Sequence, residues 1–227
     1  MLLFMPVLMQ GQEAPPVYHA VVTSTRTYMD ASRTRHSDYW FTREKSCISN
    51  GRVTTIERRD QGLIYTMIIR TKKYHVDTIR PSGAESGAEK DPGFRYLGLD
   101  YNPVYDWSLR SKTEKDSTGQ KLEHFTAIGE ADFDHAELDL WLGKCNDPEL
   151  TSGLNLLISN SLGYMESRKP MVDRLKGETA RVPCRIEETV ENSIAPPEHY
   201  VIDIRIKGRA TPPDSVFELP ANYTKEN

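Results

Sequence analysis

Apolar and polar positions alternate with period two over most of this chain, the mark of half-buried strands. In Ala136–Leu142 (AELDLWL), Ala136, Leu138, Leu140 and Leu142 share one side, and Glu137, Asp139 and Trp141 the other. Near the C-terminus, Tyr200, Ile202, Ile204 and Ile206 alternate with Val201, Asp203, Arg205 and Lys207. Val17–Met29 is rich in Val, Thr and Tyr, which favour a pleated surface. Further strands are predicted over Ser37–Ile48, Arg52–Arg59, Leu63–Ile69, Lys73–Ile79, Tyr105–Lys115, Lys121–Ala131 and Arg181–Asn192. Asp30–Arg35 reads as a polar turn, Asn50-Gly51 as a two-residue hairpin signal, and Asp60–Gly62, Arg70–Lys72 and Asp116–Gly119 as further turns. Short turns between successive strands predict an antiparallel meander of at least five strands.

The period changes once. Over Glu149–Glu166, Leu150, Leu154, Leu157, Ile158, Leu162 and Met165 recur at helical intervals. Asp147 is placed to cap that helix and Pro148 to sit in its first turn, while Gly153 and Gly163 weaken it. Pro170–Lys176 reads as a second short helix ended by Gly177. Pro81–Pro92 (PSGAESGAEKDP) lacks an apolar anchor and reads as a surface loop. Ile202, Ile204 and Ile206 are expected to face the long helix. Phe217 and Leu219 are expected to close one rim of the sheet, and Pro220 to mark where pairing stops.

Composition narrows this picture. The 227 residues suit one domain with a real core. Hydrophobic residues make up 37%, and mean hydropathy is −0.59, so a sheet with one buried and one charged face fits better than one buried on both sides. A net charge of −4 and a pI near 5.9 weigh against nucleic acid as a partner. Met1–Met9 is apolar apart from Pro6 and is followed by Gln10–Ala14, resembling the apolar and cleavage regions of a signal peptide without a preceding Lys or Arg. Residues 1–14 are therefore read as a signal peptide or N-terminal remnant, with an N-terminal strand or tail as the alternative, and 15–227 as a single domain. A segment of nine residues is too short to span a bilayer. Cys47, Cys145 and Cys184 have no metal-ligand spacing. Cys145 and Cys184 end strand-like runs on either side of the helical segment and form the first choice of disulfide, against three unpaired core thiols.

Chemistry is sparse. Glu130, Asp132, Asp134, Glu137 and Asp139, with His135 among them, are the one acidic run that could ligate a divalent metal. A strand would lay Glu130, Asp132 and Asp134 in a line, about 7 Å apart, instead of around a point. The six histidines are dispersed, and no phosphate loop, nucleophile elbow, dinucleotide fingerprint or zinc-protease motif occurs. Trp40, Met67, Phe125, Trp141, Leu157 and Met165 are the candidate ligand-binding residues, because an apolar sheet face capped by an amphipathic helix makes a pocket for small apolar ligands. Core packing uses the same residue types.

Four stretches carry a family resemblance. They are Asp60–Tyr65 leading to Lys73-Tyr74, the strand Glu137–Leu142, the strand Arg181–Ile186, and the ending Val216–Tyr223, in which Asn222 stands where the pattern has glycine. Together they resemble the LolA/LolB/RseB-type envelope proteins and exported Bacteroidetes proteins of unknown function (DUF4412-like). The resemblance implies an α+β fold: a strongly curved antiparallel β-sheet, an incomplete barrel, with helices covering its concave face. It implies a non-catalytic periplasmic or cell-envelope protein, peripheral to the membrane at most, that holds a lipid, a lipoprotein acyl chain or a hydrophobic partner in the half-barrel cavity. It brings no cofactor and no catalytic residue. The alternatives are a protein-interaction or envelope-sensor domain with an envelope protein partner, and a metal-dependent hydrolase using residues 130–139.

Overall fold

The structure, a computed structural model, describes residues 15–79, 95–96, 99–100, 104–162, 166–192, 195–213 and 215–226. The expected signal segment, the Pro81–Pro92 loop and Met165 lie outside the described residues. Six strands form a first meander: β1 (Tyr18–Tyr28), β2 (Ala31–Phe41), β3 (Lys45–Ser49), β4 (Val53–Arg58), β5 (Leu63–Ile68) and β6 (Lys73–Thr78). The pair β7 (Arg95–Tyr96) and β8 (Leu99–Asp100) is separate from the main sheet. A second meander, β9 (Asp106–Lys115), β10 (Lys121–Glu130) and β11 (Asp134–Lys144), leads into α1 (Pro148–Leu162), a 3-10 turn (Glu166–Arg168) and α2 (Lys169–Gly177). The chain then returns through β12 (Arg181–Asn192), β13 (Ala195–Arg209) and β14 (Thr224–Lys225).

Strand β13 joins the two meanders. It pairs with β1 on one side and β12 on the other, in the order β14-β6-β5-β4-β3-β2-β1-β13-β12-β11-β10-β9. All twelve strands pair antiparallel except β14, which runs parallel to β6. The sheet is open, because β14 and β9 end it without meeting.

Local chemistry explains the turns. Asn50 accepts hydrogen bonds from the Arg52 and Val53 amides (3.0 and 2.9 Å), while Gly51 takes a φ of 75°. Asp116 accepts from the Thr118 and Gln120 amides (2.8 and 2.9 Å) beside Gly119. Two turns differ from the sequence expectation. Of the polar segment Asp30–Arg35, all but Asp30 is strand, and the turn is only Met29-Asp30. Ser37–Ile48 is broken at Thr42, whose hydroxyl accepts from the Glu44 and Lys45 amides (3.1 and 3.0 Å) and reverses the chain without glycine or proline.

Asp147 caps α1 as expected, accepting from the Glu149 and Leu150 amides (3.1 and 3.2 Å). Gly153 has a packing role as well as a propensity cost. A Cβ there would lie 2.8 Å from a ring carbon of Phe41, so the missing side chain lets α1 approach the sheet.

Buried residues form two clusters on opposite faces. The helices pack on the face that carries Tyr18, Ala20 and Val22 of β1, Tyr39 and Phe41 of β2, Leu138, Leu140 and Leu142 of β11, and Ile204 of β13. Ile202 and Ile206 join that cluster, as the alternation predicts. Register places the smaller cluster on the other face, since Trp40 stands opposite Cys47, Cys47 opposite Ile56, and Ile56 opposite Tyr65. Val216, Phe217, Leu219 and Tyr223 pack on that second cluster. Phe217 and Leu219 therefore cover the opposite face of the first meander and do not close a rim of the helix side. Pairing also resumes after Pro220, with Thr224 and Lys225 opposite Lys73 and Tyr74.

The Cys145–Cys184 pairing is not formed, and all three cysteines are free. Cys184 lies in a bulge between the pairs Trp141–Arg185 and Leu142–Pro183. Its sulfur packs 2.9 Å from where a Cβ of Gly143 would stand and donates to the Val182 carbonyl (3.8 Å). The Cys145 thiol donates to the Asp147 carbonyl instead (3.6 Å).

Candidate functional site

The helix-covered face is the largest apolar surface of the fold, and its floor is built by alternation. Ala136, Leu138, Leu140 and Leu142 of β11, Phe125 and Ala127 of β10, Val182 and Ile186 of β12, and the β13 isoleucines all point toward the helices. The roof comes from Leu150, Leu154, Leu157, Ile158 and Leu162 of α1 and Met171, Val172 and Leu175 of α2. Small floor residues, Ala20, Ala127 and Ala136, let the roof side chains seat deeply. Leu157 is 2% exposed, so α1 itself occupies the space beneath it.

Polar fastenings hold the roof mainly at its ends. At the start of α1, the Tyr18 hydroxyl donates to Asp147 (2.9 Å) and Arg209 approaches the same carboxylate (3.4 Å). Burial, then the Asp147 carboxylate, pushes the Tyr18 hydroxyl above its ordinary pKa. Burial opposes the charge of Asp147, but the Leu150 amide, Tyr18 and Arg209 outweigh it and leave the carboxyl below its ordinary value. At the far end, Arg168 donates to the Leu162 carbonyl (2.8 Å) and pairs with Glu188 (2.6 Å), which is 4% exposed. The carboxylate thus keeps a partner inside the fold. Between the helices and β12, the buried stripe Thr151, Asn155 and Ser159 bonds to backbone. Asn155 donates to the Glu178 and Arg181 carbonyls (3.2 and 3.1 Å), and Ser159 to the Asn155 carbonyl (2.7 Å). Arg174 of α2 bridges Glu123 and Glu178 (2.8 and 2.7 Å).

The residues singled out in the sequence do not converge on one site. Phe125 and Leu157 lie in the helix-covered cluster. Trp40 and Met67 belong to the cluster on the opposite face, where Trp40 stacks on His19 at 4.1 Å. Trp141 also faces away from the helices, stacked on His124 at 4.3 Å and donating to Glu114 (3.3 Å). Its place between Leu140 and Leu142 in an alternating strand carried that signal. Tyr18, Tyr39, Phe41 and Ile186, which complete the floor, were not among the sequence candidates; their side follows only from which strands pair.

Outside the helices, most of the titratable groups are paired with one another. The His124 Nε2 is hydrogen-bonded to Asp139 at 2.6 Å, and its Nδ1 lies 3.2 Å from the Glu114 carboxylate. Lys112 first, then His124, hold the Glu114 carboxyl down to about 2. The acidic run is split by a turn, since β10 ends at Glu130 and β11 starts at Asp134, and it is not the straight line expected. His135 pairs with Glu130 at 2.8 Å, while Asp139 is held by His124 and Thr126. Among the described residues, no group of three or more His, Cys, Asp or Glu is arranged to hold a metal ion. A groove of about 430 Å³ beside the chain leaving α2 is lined by the charged side chains of Lys112, Lys121, Glu123, Lys144 and Arg181, with Leu122 and Ala180 between them.

No protein family matches this chain, and no curated protein does. Solved structures with a similar course include that of PNGF-II, 10% identical, covering 92% of this chain and 31% of that one with a TM-score of 0.37. The chain thus spans about a third of the length of that structure. Others are an outer membrane lipoprotein-sorting protein domain from Vibrio parahaemolyticus (12% identical, 90% of each chain, TM-score 0.32) and a DUF1329 family protein from Desulfovibrio piger (10% identical, 91% of each chain, TM-score 0.28). Likeness at this level leaves the functional reading to the site itself.

Proposed function

We propose that the protein is a non-catalytic, exported cell-envelope protein that holds a lipid acyl chain or a comparable apolar segment between the sheet and α1. In this reading the helix-covered face is the inside of a curved half-barrel, and Phe125 and Leu157 line the ligand path. The observation that carries it is a contiguous apolar floor, drawn from β1, β2 and β10–β13, roofed by α1 and α2. The sequence resemblance to envelope carriers points the same way.

Because α1 fills its own site, binding means exchange. Lifting the five buried apolar side chains of α1 costs about 8–15 kcal/mol at ~1.5–3 kcal/mol each. An acyl chain of about sixteen carbons returns roughly 12 kcal/mol at ~0.8 kcal/mol per methylene. The two are of the same size, so a long chain can replace the roof and a short one cannot.

The test combines native mass spectrometry of the purified protein with titration of acyl-fluorophores of increasing length. Saturable binding that strengthens with chain length, with faster amide exchange over Pro148–Leu162 on binding, is the expected result. Protein that carries no lipid and shows no saturable binding at any length overturns the proposal.

A further inference from the structure

The β1–β2 hairpin has features that cost stability and that nothing else in the fold uses. Its turn is two residues, Met29-Asp30, with Tyr28 opposite Ala31. Met29 sits at a φ of 51° and is 65% exposed, and Tyr28 is 40% exposed. Left-handed backbone disfavours a bulky side chain, and an exposed methionine there gains no burial in return.

Charge adds a second cost. Arg26 stands directly opposite Arg33, and Arg35 lies two residues on from Arg33, so all three share the helix-bearing side of the sheet. Like charges in opposite positions weaken a strand pair. Arg26 is answered by Glu198 (2.9 Å) and lies over the Tyr200 ring. Arg33 and Arg35 are exposed and have no hydrogen-bond or ion-pair partner among the described residues. In a chain of net charge −4, residues 24–36 hold three arginines against one acid, Asp30.

We propose that this hairpin is a docking element for an anionic membrane surface. Tyr28 and Met29 enter the boundary between headgroups and acyl chains, and Arg33 and Arg35 take lipid phosphates, with Arg26 behind them. Guanidinium matches phosphate with two parallel hydrogen bonds, and a bilayer presents phosphate and apolar volume side by side. An apolar tip with flanking basic residues is satisfied by that combination and by neither part alone. Asp30 at the apex limits the affinity and makes the contact peripheral and reversible. This inference does not depend on acyl-chain capture, since residues 24–36, the far end of the hairpin, lie outside the helix-covered cluster.

The experiment is flotation of the full chain with phosphatidylglycerol/phosphatidylcholine vesicles and with pure phosphatidylcholine vesicles, at low and high salt. Binding is expected only to the anionic vesicles and should fall with salt. R33A/R35A should weaken it roughly thirty-fold, from about 1 kcal/mol for each basic residue at such a surface. Met29→Gly separates docking from folding: it relieves the left-handed strain, so Tm should rise while vesicle binding falls. Equal binding to both vesicle types, no binding to either, or no loss in R33A/R35A overturns the proposal. So does an R33A/R35A-sensitive uptake of inorganic phosphate that accounts for the whole vesicle signal.

Discussion

The two meanders belong to one sheet but are stabilised from opposite sides. The β9–β12 half, with β13, the first residues of β1 and the last of β2, is covered by α1 and α2. The β3–β6 half is covered on its other face by residues 216–223. The helix-side cluster has twenty-one buried residues and the other has three, Cys47, Ile56 and Met67, so the first carries the global stability. The second is finished by half-buried aromatics, Trp40, Tyr65, Tyr74 and Phe217. A single long sheet can thus hold one rigid core and one lightly covered wing, and the two should respond differently to the same kind of substitution.

The largest effect should come from Leu140→Ala, which removes a fully buried floor side chain and should cost about 3–4 kcal/mol in urea unfolding. Ile56→Ala, equally buried but in the small cluster, should cost about 2 kcal/mol, because half-exposed neighbours can settle into the space. Equal costs would refute the hierarchy of the two cores. Next is Gly153→Ala. Helix propensity alone predicts a gain of about 1 kcal/mol. The Phe41 ring 2.8 Å from the added carbon makes overpacking win, for a net loss of about 1–2 kcal/mol. A stabilised variant would mean that the roof can rise at little cost.

The same contrast explains what was legible in the sequence. The β11 alternation, the Asp147 cap, and the Asn50-Gly51 and Asp116–Gly119 turns are local: each depends on residues a few positions apart, so a single stretch reveals it. The turn at Thr42 was hidden because a threonine hydroxyl performs it, and that at Met29 because its conformation is one methionine rarely takes. The face of each strand was the larger loss. Alternation gives two sides, but only the non-local pairing of β13 with β1 and β12 fixes which side of one meander continues which side of the other. Residue type groups Trp40 and Met67 with Phe125 and Leu157, and pairing separates them by the thickness of the sheet.

Asp147 gives a smaller effect that tests how the roof is fastened. Asp147→Ala should cost about 1–2 kcal/mol, since it removes a helix cap and the partner of the buried Tyr18 hydroxyl. Its carboxyl is held below the ordinary value of 3.8, so the fastening is fully present above that pH. It is lost as pH falls through the lower, folded value. Stability of the native protein, followed by urea midpoints from pH 6 downward, should therefore drop more steeply below about pH 4 than that of Asp147→Ala. Parallel curves would remove Asp147 as a fastening.

The smallest effect isolates the wing. Burial first, then the charge of Asp38, pushes the Cys47 thiol up to about 11, so at pH 8 it is almost wholly protonated as well as covered. Alkylation of Cys47 in the folded protein should then wait for local opening of the small cluster. Phe217→Ala removes one of its half-buried covers and should speed Cys47 alkylation roughly ten-fold, equivalent to about 1.4 kcal/mol of local stability. Cys184, packed against Gly143 beside the helix-side core, should keep its rate, because its exposure depends on a different part of the sheet. If Phe217→Ala speeds both thiols alike, the tail supports the whole sheet. If it speeds only Cys47, the covering of the first meander is a separate and weaker unit, able to loosen while the helix-covered floor stays shut.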